Sequence, residues 1–207
     1  MRILDNTKQP ALYNEEETKT CFELLLRDTK REGVDKLLEF LSNSDFYKAP
    51  ASSRFHNNFE GGLVLHCLNV WHCLDKMNKD FNLEIPNESV IISALLHDVC
   101  KINLYSKDKK FFKVEGETQW TSYTMWKYED TLPLGHGEKS IMMISKFIEL
   151  TDLEMMMIRW HMGAFKEGEA RDYSNATNYH KGVSAMHIAD MQASSFFERT
   201  IDLQRVK

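Results

Sequence analysis

The sequence predicts an all-α protein, a mainly helical bundle with a small β-hairpin inserted at about 105–128. Three observations carry this reading. Proline is scarce, 4 in 207 residues. Apolar residues recur mostly at helical spacing. That spacing gives way at 105–128, where Phe111, Phe112, Val114, Trp120, Tyr123 and Trp126 surround Glu115-Gly116-Glu117.

Taken in order, a first helix is expected at about 15–30, with Cys21, Leu24 and Leu25 on one face. A second at about 33–43 presents Val34, Leu37, Leu38 and Leu41. The stretch 48–62 reads as loop, with Pro50, Ser52, Ser53, Asn57, Asn58 and the pair Gly61-Gly62. Helices follow at about 63–79 and, with Asn87 as N-cap, from there to about 101. After the hairpin comes a helix at about 136–149. Thr151-Asp152-Leu153-Glu154 is a capping-box pattern opening the next helix, whose Leu153, Met156, Met157 and Trp160 follow i, i+3, i+4, i+7. A polar loop at 166–180 and a last helix at about 181–203 complete the chain. Residues 1–50 are expected as a helical extension packed on the core, and 51–207 as the main domain.

Composition narrows the function. A net charge of −5 argues against charge-driven binding of long nucleic acid, while leaving room for a small phosphorylated substrate in a locally positive pocket. The 28% charged and 43% hydrophobic content is that of ordinary globular material. No apolar run approaches the roughly 18 residues that span a bilayer, and MRILDNTKQP lacks the apolar stretch of a signal peptide. Cys21, Cys67, Cys73 and Cys100 have no CxxC spacing and read as reduced thiols. The expected compartment is the cytosol. Composition sets no oligomeric state.

Chemistry is signalled where polar groups interrupt apolar helices. Eight of the eleven residues from Val90 to Cys100 are apolar, yet His97 and Asp98 sit among them. An ionised carboxylate removed from water is costly unless it is paired or binds a metal. Lys101, three and four residues on, offers one partner. His66 interrupts Gly61-Gly62-Leu63-Val64-Leu65-His66-Cys67-Leu68, and Asp190 interrupts Ala185-Met186-His187-Ile188-Ala189-Asp190-Met191. Each alone is compatible with a satisfied core residue. Convergence of His66, His97, Asp98 and Asp190 on one cation would answer the same desolvation problem four times.

This order, His…His-Asp…Asp on apolar helices, resembles the HD-domain superfamily of metal-dependent phosphohydrolases over about 52–200. Phe55-His56-Asn57-Asn58-Phe59-Glu60-Gly61-Gly62-Leu63-Val64-Leu65-His66 and Ala94-Leu95-Leu96-His97-Asp98-Val99-Cys100-Lys101 are similar to the HxxxxGGLxxH and ALLHDxxK segments of the HD module in bacterial 3′-to-5′ exoribonucleases. The resemblance implies that His66, His97, Asp98 and Asp190 hold a first metal. It further implies that His136, at a helix start, and His161, at a helix end, hold a second, with Asp98 bridging. The implied cofactor is a pair of divalent ions, Mn²⁺, Fe²⁺, Co²⁺, Ni²⁺ or Zn²⁺, with Mg²⁺ also open. Asp98 and Lys101 are then the catalytic pair, Lys101 either steadying a phosphate oxygen or serving only as the ion-pair partner of Asp98. Arg54, His56 and His187 are candidates for substrate contact, each with a plain loop or packing alternative. Lys107, Lys109, Lys110 and Lys113 on the hairpin form either a lid or a solvated charged face.

The chain lacks the Gly-Tyr-Pro element of cyclic-dinucleotide phosphodiesterases and the Glu-Asp pair of alarmone hydrolases, and residues 1–50 are too few for an exoribonuclease's nucleic-acid-binding domain. The implied activity is hydrolysis of a nucleotide or short-oligonucleotide phosphoester. A dinucleoside polyphosphate hydrolase and a silent metal- and nucleotide-binding regulatory module are the alternatives.

Overall fold

The computed structural model describes residues 14–113 and 118–200. Among them are eight α-helices and one two-stranded sheet, so the all-α class with an inserted hairpin holds. Helix α1 (Glu15–Asp28) is capped by the Asn14 side chain, which accepts from the Glu16 and Glu17 amides. Its buried face is Thr18, Phe22 and Leu26, one position along from the expected one. Leu24 is 62% exposed, and Cys21 and Leu25 only flank the core. Helix α2 (Val34–Ser42) buries Val34, Leu37, Leu38 and Leu41 as its spacing predicts.

Helix α3 (Gly62–Phe81) is the central element. It packs on α4 (Asn87–Leu96), on α8 (Lys181–Gln192) and on α1. One core forms where α1 and α2 meet α3 and α4, through Phe22, Leu37, Leu63, Ile91, Ile92 and Leu95. A second lies on the other side of α3, where Val70, Leu74 and Met77 meet Val183, Met186 and Ala189 of α8. From Gly62 to Val70, between the two cores, every residue of α3 is buried. His66 and Asn69, the polar side chains of that stretch, therefore lie in buried surroundings.

The start of α3 is fixed by a tight return of the preceding loop. Gly61 takes a left-handed φ of 78°. The Gly61 and Leu63 amides donate to the Lys48 and Ala49 carbonyls, and the Ala51 amide donates to Asn57 O. A Cβ on Gly62 would lie 1.9 Å from Asn57 O. Gly62→Ala is therefore expected to cost about 1–3 kcal/mol by overpacking, read as a lower urea midpoint.

Several boundaries differ from the sequence reading. Pro86 is the N-cap of α4, and Asn87 is its first helical residue. The apolar run does not stay α-helical to 101. It stops at Leu96, turns at His97-Asp98, and resumes as a 3₁₀ turn, Val99–Lys101. Strands β1 (Tyr105–Lys113) and β2 (Trp120–Tyr128) pair antiparallel from Tyr105↔Tyr128 to Lys113↔Trp120; Val114 and Glu115-Gly116-Glu117 lie outside the described residues. Helix α5 (His136–Ile144) is shorter than expected. Helix α6 (Asp152–Arg159) carries the predicted capping box in full. The stretch read as a polar loop contains a helix, α7 (Ala170–Tyr179), which buries only Ala176 and so shows no apolar stripe. Beyond α8 the chain forms a π-type turn, Ala193–Phe197, in place of a continued α-helix. The four cysteines are free. No helix among the described residues is long and apolar enough to cross a membrane.

Candidate metal centre

His66, one turn into α3, and His97, which caps the end of α4, bring their Nε2 atoms within 3.2 Å of each other. Asp98 Oδ2 lies 3.5 Å from His66 Nε2 and 3.3 Å from His97 Nε2. From α8, Asp190 Oδ1 lies 3.2 Å from His66 Nε2. His161, just past the end of α6, places Nε2 3.6 Å from Asp98 Oδ1. It also shares a cluster with His97 and Asp190. The three imidazoles and Asp98 are each at most 2% exposed.

The opposite ring nitrogens explain this convergence. His97 Nδ1–H donates to Ala94 O at 2.8 Å and His161 Nδ1–H to Ile158 O at 2.7 Å. His66 Nδ1–H donates to Glu198 Oε1 at 2.8 Å. With all three Nδ1 atoms tied to acceptors, each Nε2 is turned toward the common space.

Glu198 carries no sequence signal of the kind that marks Asp190. It follows the π-type turn, is held by Asn69 Nδ2 at 3.2 Å, and has a fully buried side chain. The carbonyl of its neighbour Arg199 accepts from the Asn57 amide at 2.7 Å, which pins this segment to the loop before α3. His56 stacks on His66 with centroids 4.9 Å apart and clusters with His66 and Glu198.

The surroundings favour positive charge on His66 and disfavour it on His161 and His56. Burial opposes the His66 imidazolium, but Glu198 and Asp190 outweigh it and raise the group to about 10. Burial likewise opposes the Asp98 carboxylate, but Lys101 and His97 hold it well below the usual range. His161 is lowered to about 4, by burial and then by His97, and stays neutral with its lone pair available. Burial also brings His56 to about 4.

A divalent ion fits this donor set. Ligands at about 2.0–2.2 Å from one ion stand roughly 2.8–3.6 Å apart, and the His66–His97, His66–Asp98, His97–Asp98 and His66–Asp190 spacings fall in that range. Asp98 Oδ1 and His161 Nε2 are buried with no hydrogen-bond partner, an arrangement that is costly unless something else satisfies them.

Lys101 is buried, with Nζ 2.7 Å from Asp98 Oδ2 and donating to Ala51 O at 2.6 Å. His136, the first residue of α5, lies with Asp98 and Cys100 in a further cluster. Its placement beside α6 depends on Gly137, where a Cβ would stand 2.5 Å from Arg159 O. The remaining candidates sit further out. His187 donates from Nδ1 to His161 O at 2.6 Å and so braces the segment after α6. Arg54 is exposed on the loop before α3. On the hairpin, Lys107 pairs with Glu60 at 2.6 Å and Trp126 Nε1 donates to Asn58 O, docking β1 and β2 against that loop. Lys109, Lys110 and Lys113 are exposed, with Lys110 3.1 Å from Asp108.

No family model matches the chain, and no solved structure matches it. Among curated proteins it is similar to the dihydroneopterin 2′,3′-cyclic phosphate phosphodiesterase of Methanocaldococcus jannaschii, 32% identical over 82 residues. The match takes in 32% of this chain and 33% of that protein, so it spans about a third of the length of the curated relative.

Proposed function

We propose that this protein is a metal-dependent phosphoester hydrolase of the HD type acting on a small phosphodiester, a nucleotide or short oligonucleotide. The observation that carries the reading is the buried meeting of three imidazole Nε2 atoms with Asp98 and Asp190, a group in which two polar atoms, Asp98 Oδ1 and His161 Nε2, lack hydrogen-bond partners. The phosphodiesterase named above supports phosphodiester chemistry, since its own substrate is a cyclic phosphodiester.

His66, His97, Asp98 and Asp190 would hold one divalent ion, and His136 and His161 would complete a second position around Asp98. An ion held there supplies Lewis acidity toward a phosphate oxygen and lowers the pKa of water to make the nucleophile. The protein's own groups do the rest. Asp98 fixes Lys101, whose ammonium has three donors; Asp98 and Ala51 O take two, and the third is directed to a phosphate oxygen. Charge developing on phosphorus-bound oxygens then meets a preorganised cation in a water-poor site. Glu198 keeps His66 in the tautomer that faces the ion, and His187 holds the His161 segment in place.

The test is turnover. Purified protein with Mn²⁺, Co²⁺, Ni²⁺ or Zn²⁺ is expected to hydrolyse bis-p-nitrophenyl phosphate and at least one of cyclic nucleotides, dinucleoside polyphosphates or short RNA. Activity that survives Asp98→Ala excludes this site, and silence on every substrate favours a regulatory module. Glu198→Gln is expected to leave the fold intact while weakening metal binding about 10–100-fold, the usual cost of removing an outer-shell partner; elemental analysis after dialysis reads it. His136→Ala is expected to lower bound metal from two equivalents to one.

A further inference from the structure

Cys100 occupies the middle of the 3₁₀ turn that follows Asp98, and its amide donates to Ser140 Oγ on α5 at 3.1 Å. That hydrogen bond ties the turn to the helix that begins with His136. The thiol is thereby held with Sγ 3.6 Å from His136 Nδ1. Asp98 completes the group, all three ligand atoms lying within 4.8 Å of one another. Cys100 is 2% exposed.

Two donors on one tetrahedral ion, sulfur at about 2.3 Å and imidazole nitrogen at about 2.0–2.1 Å, stand roughly 3.6 Å apart. The Cys100–His136 spacing has this value. Asp98, which faces the pair, presents a buried Oδ1 without a hydrogen-bond partner. We propose that Cys100 is a further ligand of the second cation position, its thiolate joining Asp98, His136 and His161, so that the position takes a thiophilic ion such as Zn²⁺ or Co²⁺ rather than Mg²⁺. The inference rests on the metal-dependent reading above and refines it. A set of imidazoles and carboxylates alone admits a wide range of divalent ions, whereas one thiolate narrows the range to soft and borderline ions. Binding breaks the S–H bond, forms a sulfur–metal bond and releases the proton to solvent. No change of oxidation state is involved.

The experiment is a Co²⁺ titration of the metal-free, full-length protein, followed by absorbance, with Zn²⁺ binding measured in parallel. Wild type is expected to develop a near-ultraviolet sulfur-to-cobalt charge-transfer band as the second equivalent binds, and excess Mg²⁺ is expected not to suppress it. Cys100→Ser is expected to abolish the band while the first equivalent still binds, and to weaken the second Zn²⁺ by at least the ~10–100-fold that an outer-shell change costs. Cys21→Ser, in α1, is expected to keep the band. Should the Cys100→Ser substitution disturb folding, Cys100→Ala supplies the same comparison without a buried hydroxyl. Two equivalents bound with no charge-transfer band overturn the thiolate assignment and leave the metal-dependent reading standing. A band that persists in both Cys100 variants overturns it by assigning the sulfur elsewhere. Failure to bind any Co²⁺ overturns both.

Discussion

Asp98→Ala is expected to abolish turnover and, in the metal-free protein, to lower unfolding free energy by about 3–5 kcal/mol. The stability loss has a definite source. The Lys101 ammonium is buried 2.7 Å from Asp98 Oδ2, and its other contact, Ala51 O, is neutral. Removing the carboxylate leaves a cation out of water with no counter-charge. The double variant Asp98→Ala/Lys101→Met replaces the pair with apolar volume and is expected to recover much of the stability while staying inactive. Urea denaturation of the three metal-free proteins checks this; a double variant no more stable than the single one would show that Lys101 is not the source.

Glu154→Ala is expected to destabilise by about 3 kcal/mol with turnover per folded molecule unchanged. The Glu154 carboxylate is fully buried and receives Arg31 Nη2 at 2.9 Å, Arg31 Nη1 at 3.1 Å, Ser89 Oγ at 2.9 Å and the Thr151 amide at 2.9 Å. One side chain thus joins the segment between α1 and α2 to α4 and α6. The loss falls at the low end for a broken buried pair, because Arg31 keeps Glu88 at 3.3 Å and the Glu149 carbonyl at 2.6 Å. Arg31 already holds its proton more tightly than usual, chiefly through its hydrogen bond to Glu154. Asp98 and Glu154 are similarly costly to remove, and only Asp98 belongs to the cluster. Comparing the two separates stability from chemistry.

What the sequence revealed follows from contrast. His66, His97, Asp98 and Asp190 stand out because each is a polar group inside an apolar helix, and the structure brings these four together. Helix α2 and the capping box of α6 were legible for a similar local reason. Helix α7 was not, since Ala176 is its one buried residue and a polar helix leaves no periodic stripe. Glu198 was hidden because the sequence reading runs the last helix through it to about 203, and the charge is buried only by a return of the chain toward α3. Cys100 read only as a reduced thiol because His136 lies 36 residues away. The break after Leu96 left no trace either, as the apolar run continues through Val99 and Cys100.

The hydrogen bond between His66 and Glu198 joins residues 132 positions apart. During translation, His66, His97 and Asp98 emerge from the ribosome well before Asp190 and Glu198. The nascent chain therefore carries a half-assembled pocket that lacks two of its carboxylates, and loop closure over that distance must precede a complete one. A cation binding this cluster would meet its full set of carboxylates only after Glu198 has docked beside His66.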